Sequence, residues 1–161
     1  MKTIPLTQGV VAVVDDEDFD KVNQFKWRLL RLRRTSYAQR NLRINGKRTM
    51  QYLHRFVLDL NPGDPDIDHR DGNGLNCTRD NLRKASRQQN ECNQRKQLRK
   101  TSSRYKGVYW RRGKNKWGAL IQVNDKKKHL GSFDSEQEAA RAYNQAAIQL
   151  HGDFARLNEV K

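Results

Sequence analysis

The sequence predicts an α+β protein in two parts. The first is a strand–loop–strand–helix unit and the second a three-stranded antiparallel sheet packed on one helix. Three observations carry this reading. Residues 117–123 alternate strictly, with Trp117, Ala119, Ile121 and Val123 on one strand face and Gly118, Leu120 and Gln122 on the other. Beyond them, apolar residues recur at Ala139, Tyr143, Ala146, Ala147 and Leu150, the stripe of a helix laid against a sheet. Upstream, two short strand-like runs flank the loop Asp71-Gly72-Asn73-Gly74 and precede a helix.

Composition narrows the function. The 161 residues carry 33 Lys or Arg against 18 Asp or Glu, a net charge of +15, which calls for a polyanionic partner. No apolar run approaches the roughly 18 residues that span a bilayer, so nucleic acid is favoured over membrane. The N-terminal stretch lacks the apolar core and cleavage site of a signal peptide, and the expectation is a cytoplasmic protein. Cys77 and Cys92 are isolated and His54, His69, His129 and His151 are scattered. A zinc finger is therefore not expected, and both cysteines read as free structural thiols.

Element by element, Val10–Val14 reads as a strand. The acidic run Asp15–Asp20 suits a helix N-terminus, where carboxylates oppose the macrodipole. Lys26–Arg34 and Tyr37–Ile44 read as strands, with Asn45-Gly46 as a hairpin turn because both residues tolerate positive φ. A helix is expected over Gln51–Leu60, stopping before Pro62-Gly63, then strands at Asp66–His69 and around Leu82–Ala85. Ser86 and Gln89 form a capping box for a helix that contains Asn90. Residues 95–116 hold ten Lys or Arg and no acid, which reads as a solvated linker around Thr101-Ser102-Ser103. Ser135 and Glu138 form a second capping box for a helix ending near His151-Gly152.

Within residues 67–90, IDHRDGNGLNCTRDNLRKASRQQN offers the groups that phosphodiester hydrolysis needs. Asp68 supplies a hard oxygen for Mg²⁺ and His69 supplies a base. Neighbours on a strand point to opposite faces, so the strand must bend or end at this pair to bring both to one site. Alone, Asp68 would cap a loop, His69 would be a surface histidine, and Asn81 and Asn90 turn and helix-surface residues. The spacing of the set is what points to catalysis. His54, lying before the motif, is expected to pack on or hydrogen-bond the core.

This block resembles the His-Asn-His (HNH) endonucleases, above all the phage homing-type branch in which the last histidine is asparagine. The resemblance implies the ββα-metal arrangement, two strands and a helix around one metal. By motif, Asp68 would be the first metal ligand, His69 the general base, Asn81 the residue that orients the His69 ring, and Asn90 the second ligand. Mg²⁺, or alternatively Mn²⁺, suits these oxygens. With an ordinary histidine pKa near 6.5, activity is expected to rise through roughly pH 6–7.5.

Residues 104–158 resemble the plant APETALA2/ethylene-response-factor domain. The likeness rests on Tyr105-Lys106-Gly107-Val108, Lys116-Trp117, Leu130-Gly131-Ser132-Phe133, Glu138 to Tyr143, and Leu157-Asn158. It implies a sheet that lies in the major groove, with Tyr109, Arg111, Leu120, Gln122, Lys127 and His129 towards DNA and Lys106 among the contacts. Leu120 stands where an acid is usual and Gln122 where an arginine is usual, so the plant target sequence does not carry over. Lys126, Lys127 and Lys128 are expected on phosphates, and Trp110 and Trp117 in the core.

The expected organisation is therefore an HNH endonuclease domain over residues 1–97 (ββα-metal core about 51–97), a basic linker at 98–103 and an APETALA2-like DNA-binding domain at 104–158. The partner is double-stranded DNA, with no obligatory protein partner evident. A metal-dependent endonuclease from a phage or other mobile element, acting in a bacterial host, fits best. A non-catalytic DNA-binding regulator derived from such a nuclease is the alternative, and a basic RNA-associated protein a third.

Overall fold

A computed structural model describes residues 1–33, 35–96 and 101–161. It is a mixed α/β chain of small antiparallel sheets and short helices, and it divides into two compact units, Met1–Arg87 and Gln88–Lys161.

In the first unit, β1 (Lys2–Pro5) pairs with β2 (Val11–Val14), with Ile4 opposite Ala12. β1 carried no alternation strong enough to predict it. Helix α1 (Asp16–Asn23) opens on Asp16, Glu17 and Asp18, as the macrodipole favours. β3 (Arg28–Arg31), β4 (Ser36–Ile44) and β5 (Lys47–Tyr52) form a meander. Its tight turn is Asn45-Gly46, at φ 49° and 76°. The helix expected over Gln51–Leu60 is shorter. Gln51 and Tyr52 stay in the ladder opposite Arg40 and Gln39, leaving α2 only Leu53–Val57. β6 (Asp66–His69) and β7 (Leu82–Ala85) form a two-stranded ribbon at the expected positions.

Ile4, Val14, Val22, Leu53, Val57 and Cys77 are fully buried and, with Trp27, make this unit's core. Each such aliphatic contributes about 1.5–3 kcal/mol relative to exposure. The loop between β6 and β7 is fastened to that core. Val13 N donates to Leu75 O and Cys77 N to Val13 O. Arg79 adds a two-point grip on buried Asp18, at 2.8 and 2.9 Å. At Gly74 a Cβ would lie 2.5 Å from Ser36 O and 2.6 Å from the Tyr37 ring, so only glycine lets the loop approach β4 this closely.

The second unit holds helix α3 (Arg87–Asn93) from Gln88 on. It continues with the sheet of β8 (Val108–Arg111), β9 (Lys116–Val123) and β10 (Lys126–Phe133), and with α4 (Glu136–His151). The α4 capping box is complete, with Ser135 Oγ accepting from Glu138 N and Glu138 Oε2 accepting from Ser135 N. Ala139, Tyr143, Ala146 and Ala147 face the sheet, joined by Ala140. Leu150, expected on the same stripe, is 40% exposed in the last turn of the helix.

Part of the basic run departs from the expected solvated linker. Ser103 is buried and donates to Glu136 Oε1 (2.7 Å), and Ser102 Oγ accepts from Trp110 N (2.9 Å), so both are built into the sheet-and-helix unit. Residues 98–100 of that linker lie outside the described residues.

Candidate functional site

β6 stays regular to its last residue, with Asp68 opposite Arg83 and His69 opposite Leu82. The chain turns immediately afterwards, as Gly72 N donates to His69 O. The strand therefore ends, rather than bends, at the predicted pair. Both side chains are buried. Asp68 Oδ2 receives Arg83 Nη2 at 2.6 Å and Arg83 Nε at 2.8 Å, a charge-assisted pair of which each side chain is only 9% exposed.

His69 sits among rings. The His54 ring meets it edge-on at 5.0 Å between centroids, and Tyr37 lies at 5.8 Å. Tyr52 stacks on His54 at 5.5 Å, and Tyr37 touches both. His54 thus packs on the core, as expected, but it does so directly against the catalytic candidate. Burial holds both imidazoles neutral. It pushes His69 down to about 4, against the opposing pull of Asp71 and Asp68. His54 falls to about 3, by burial first and then by the charges of His69 and Arg55. An activity profile centred on an ordinary histidine pKa is therefore not what this environment supports.

Asn81, expected to orient the His69 ring, directs its side chain to the loop after β6. Its amide nitrogen donates to Asp71 Oδ1 (3.0 Å) and Asn76 O (2.8 Å), and its oxygen accepts from Asp71 N (3.1 Å). Asn81 holds the 71–76 loop, and its backbone carbonyl accepts from Arg70 N, next to His69. Burial works to raise the Asp71 carboxyl, but hydrogen bonds from Asn73, Asn76 and Asn81, with the charge of His69, together hold it below its usual value.

Asn90 lies on α3, whose residues from Gln88 on fall in the second unit. Within that unit α3 is fixed by Lys106, whose ammonium donates to Cys92 O (2.5 Å) and Gln94 O (2.7 Å). Burial pulls this lysine down to about 8. Lys106, expected among the DNA contacts, places its ammonium on carbonyls at the end of α3.

The remaining DNA candidates share one sheet face. Gln122 pairs with Lys127 across β9–β10 and Leu120 with His129, while Tyr109 lies opposite Gly118 on β8–β9. Arg111 Nη1 reaches Ser132 Oγ at 2.6 Å and His129 Nε2 at 3.3 Å, and the Tyr109 and His129 rings meet at 6.5 Å. Lys126, Lys127 and Lys128 are exposed at the hairpin end. Of the two tryptophans expected in the core, Trp117 packs there. Trp110 is half-buried and rests edge-on against Trp117 at 5.0 Å.

Comparison with known proteins adds a family. Over 158 residues the chain is 31% identical to a protein of Acanthamoeba polyphaga mimivirus named an uncharacterized HNH endonuclease, covering 95% of this chain and 77% of that one. The chain belongs to the HNH endonuclease family. It is also 36% identical over 90 residues to Protein 3.8 of Escherichia phage T7, covering 56% of this chain and 73% of the phage protein. A further likeness, 42% over 60 residues, is to APETALA2-like protein 2 of Oryza sativa. It covers 37% of this chain and 14% of the plant protein. No family model matches, and no solved structure does.

For this HNH endonuclease chain, sequence reasoning singled out Asp68 and His69 but passed over Tyr37, Tyr52 and Arg83. Only Arg83 had a readable signal, since a β6–β7 ribbon closing on the Asp71–Asn76 loop sets it opposite Asp68. Among the described residues no cluster of three or more His, Cys, Asp or Glu could hold a metal ion, and no helix is long and apolar enough to cross a membrane. The donor chemistry at the end of β6 nonetheless fits a hard divalent cation. Asp68 is a buried carboxylate already holding a positive group, and its neighbour is a neutral imidazole.

Proposed function

We propose that this chain is a divalent-metal-dependent DNA endonuclease, with His69 as general base, Asp68 and Asn90 as metal ligands, and the β8–β10 face as its DNA-reading surface. One observation carries the reading: a buried carboxylate and a neutral imidazole at consecutive positions end β6 of an antiparallel ribbon, in a chain of the HNH family. When bound, a Mg²⁺ or Mn²⁺ ion would supply Lewis-acid stabilisation of the phosphate and the departing oxygen. Burial keeps His69 in the form that accepts a proton from water, and the Tyr37 and His54 rings, with Tyr52 stacked behind His54, restrict its orientation. The 71–76 loop, held by Asn81, fixes the end of the strand that carries the pair.

On the second unit, Arg111 and Gln122 offer base-reading donors, and Leu120 an apolar contact to a thymine methyl. Lys127 supplies phosphate affinity. The domain limits proposed from the sequence are 1–97 for the nuclease, 98–103 for the linker and 104–158 for the reader, with Ser102 and Ser103 at the end of the linker anchored to the reader; likeness to viral proteins supports a phage or mobile-element setting.

The test is plasmid cleavage in Mg²⁺, with and without EDTA, by wild type and His69→Ala. Cleavage that persists in EDTA or in the variant would refute the mechanism. The likeness to a plant APETALA2 protein favours a second reading, a DNA-binding regulator without nuclease activity. Sequence-selective binding with no cleavage in either metal would establish that reading instead.

A further inference from the structure

We propose that Arg83 is a cation latch on Asp68: its guanidinium neutralises the carboxylate in the free protein, and a DNA phosphate draws it away to open Asp68 to the metal. This rests on the metal-dependent nuclease reading above and adds to it an order of events, substrate before metal.

The observation is a competition for one carboxylate. Arg83 and Asp68 are cross-strand partners on β6–β7, so register alone holds them together. Both side chains are about nine-tenths buried, and two guanidinium donors converge on a single oxygen, at 2.6 and 2.8 Å. In such an environment an unpaired carboxylate is costly, which explains why a cation stands there at all. A divalent ion seeking the same carboxylate meets a resident positive charge, in a chain already at +15. Metal loading of the free protein is disfavoured for that reason.

A phosphodiester changes the balance. Guanidinium forks match phosphate as well as carboxylate, and an incoming phosphate compensates the arginine as it leaves Asp68. At the end of the exchange every charge is paired again: Arg83 has passed from carboxylate to phosphate, and the exposed Asp68 then takes the metal in its place. Such a device keeps a metal-charged hydrolytic centre from forming away from DNA.

Two measurements on the full chain test it. Mn²⁺ binding without DNA, followed by electron paramagnetic resonance, should tighten about tenfold in Arg83→Gln. It should stay near wild type in Arg83→Lys, which keeps the resident charge. Separately, in EDTA, the slope of log affinity against log salt for a duplex oligonucleotide should become shallower by about one in Arg83→Gln and recover in Arg83→Lys. An ion pair with only a structural role would move neither quantity in this direction. Arg83→Gln with Mn²⁺ affinity equal to or weaker than wild type, or with an unchanged salt slope, overturns the latch. If Arg83→Gln does not fold, Arg83→Lys still decides: tightened Mn²⁺ binding there, with the charge kept, overturns it, and wild-type affinity there supports it. Wild type that binds Mn²⁺, with no gain in Arg83→Gln, overturns the latch alone. No Mn²⁺ binding by any form, wild type included, overturns the metal-dependent reading as well.

Discussion

Acidification from pH 7 to pH 5 should destabilise the first unit through two buried histidines. Folding lowers the His69 pKa to about 4 and the His54 pKa to about 3, from 6.5 in the unfolded chain. The sign follows directly. A depressed pKa means the unfolded state binds protons first, so the stabilisation is complete above pH 6.5 and is lost as pH falls towards 4 and then 3. Between pH 7 and pH 5 the linkage relation gives about 2 kcal/mol for each ring, hence about 4 kcal/mol if the two add. Domain stabilities are only about 5–15 kcal/mol, so the loss is large. His54→Phe removes the His54 contribution and leaves that of His69, whose depression comes from burial, so the pH dependence should fall to about half. Urea denaturation at pH 7 and pH 5 measures this, in a background of Trp110→Phe and Trp117→Phe so that buried Trp27 alone reports on its unit. A change below about 0.5 kcal/mol in wild type, or an imidazole resonance of His69 titrating near pH 6.5, would show that these rings are not desolvated as described.

Three further outcomes follow from the same geometry. With neutral His69 as base and a pKa near 4, chemistry-limited cleavage should be flat from roughly pH 5.5 to 8. A rise centred near 6.5 would point to another base. Arg111→Ala should cost about 1–3 kcal/mol at the preferred DNA sequence only, whereas Lys127→Ala should weaken all sequences together and flatten the salt dependence, as read by binding titrations at several salt concentrations. A fragment beginning at Gln88 should fold and bind DNA, and one beginning at residue 104 should melt at lower temperature because Lys106 loses the carbonyls of Cys92 and Gln94. Equal melting temperatures in calorimetry would show that α3 contributes nothing to the second unit.

Local signals were legible wherever backbone chemistry and side-chain period agree. Asn45-Gly46 specified its hairpin because few other residue pairs accept two positive φ values. The 117–123 alternation and the Ser135–Glu138 box located β9 and the start of α4 to within a residue. Gln51–Leu60 failed for the opposite reason. Its residues tolerate either structure, and the ladder with β4 claimed Gln51 and Tyr52, an interaction made by residues eleven or more positions away. Within the basic run charge does not measure solvation, because the two serines inside it find partners on Glu136 and Trp110.

The candidate site divides along the same line. Asp68 and His69 could be singled out because the chemistry needs a hard oxygen and a base close together, although strand neighbours point to opposite faces and adjacency alone does not bring both to one site. What surrounds them came from distant segments: Tyr37 from β4, Tyr52 from β5 and His54 from the start of α2. These rings decide the protonation state of His69, because burial outweighs the two carboxylates that would otherwise hold its pKa up. Motif spacing therefore selects the candidate base, while the long-range packing sets how readily that imidazole takes up a proton. A homologue that keeps the Asp-His pair but places polar residues at the positions of Tyr37 and Tyr52 would retain the motif and regain a histidine that titrates in the ordinary range.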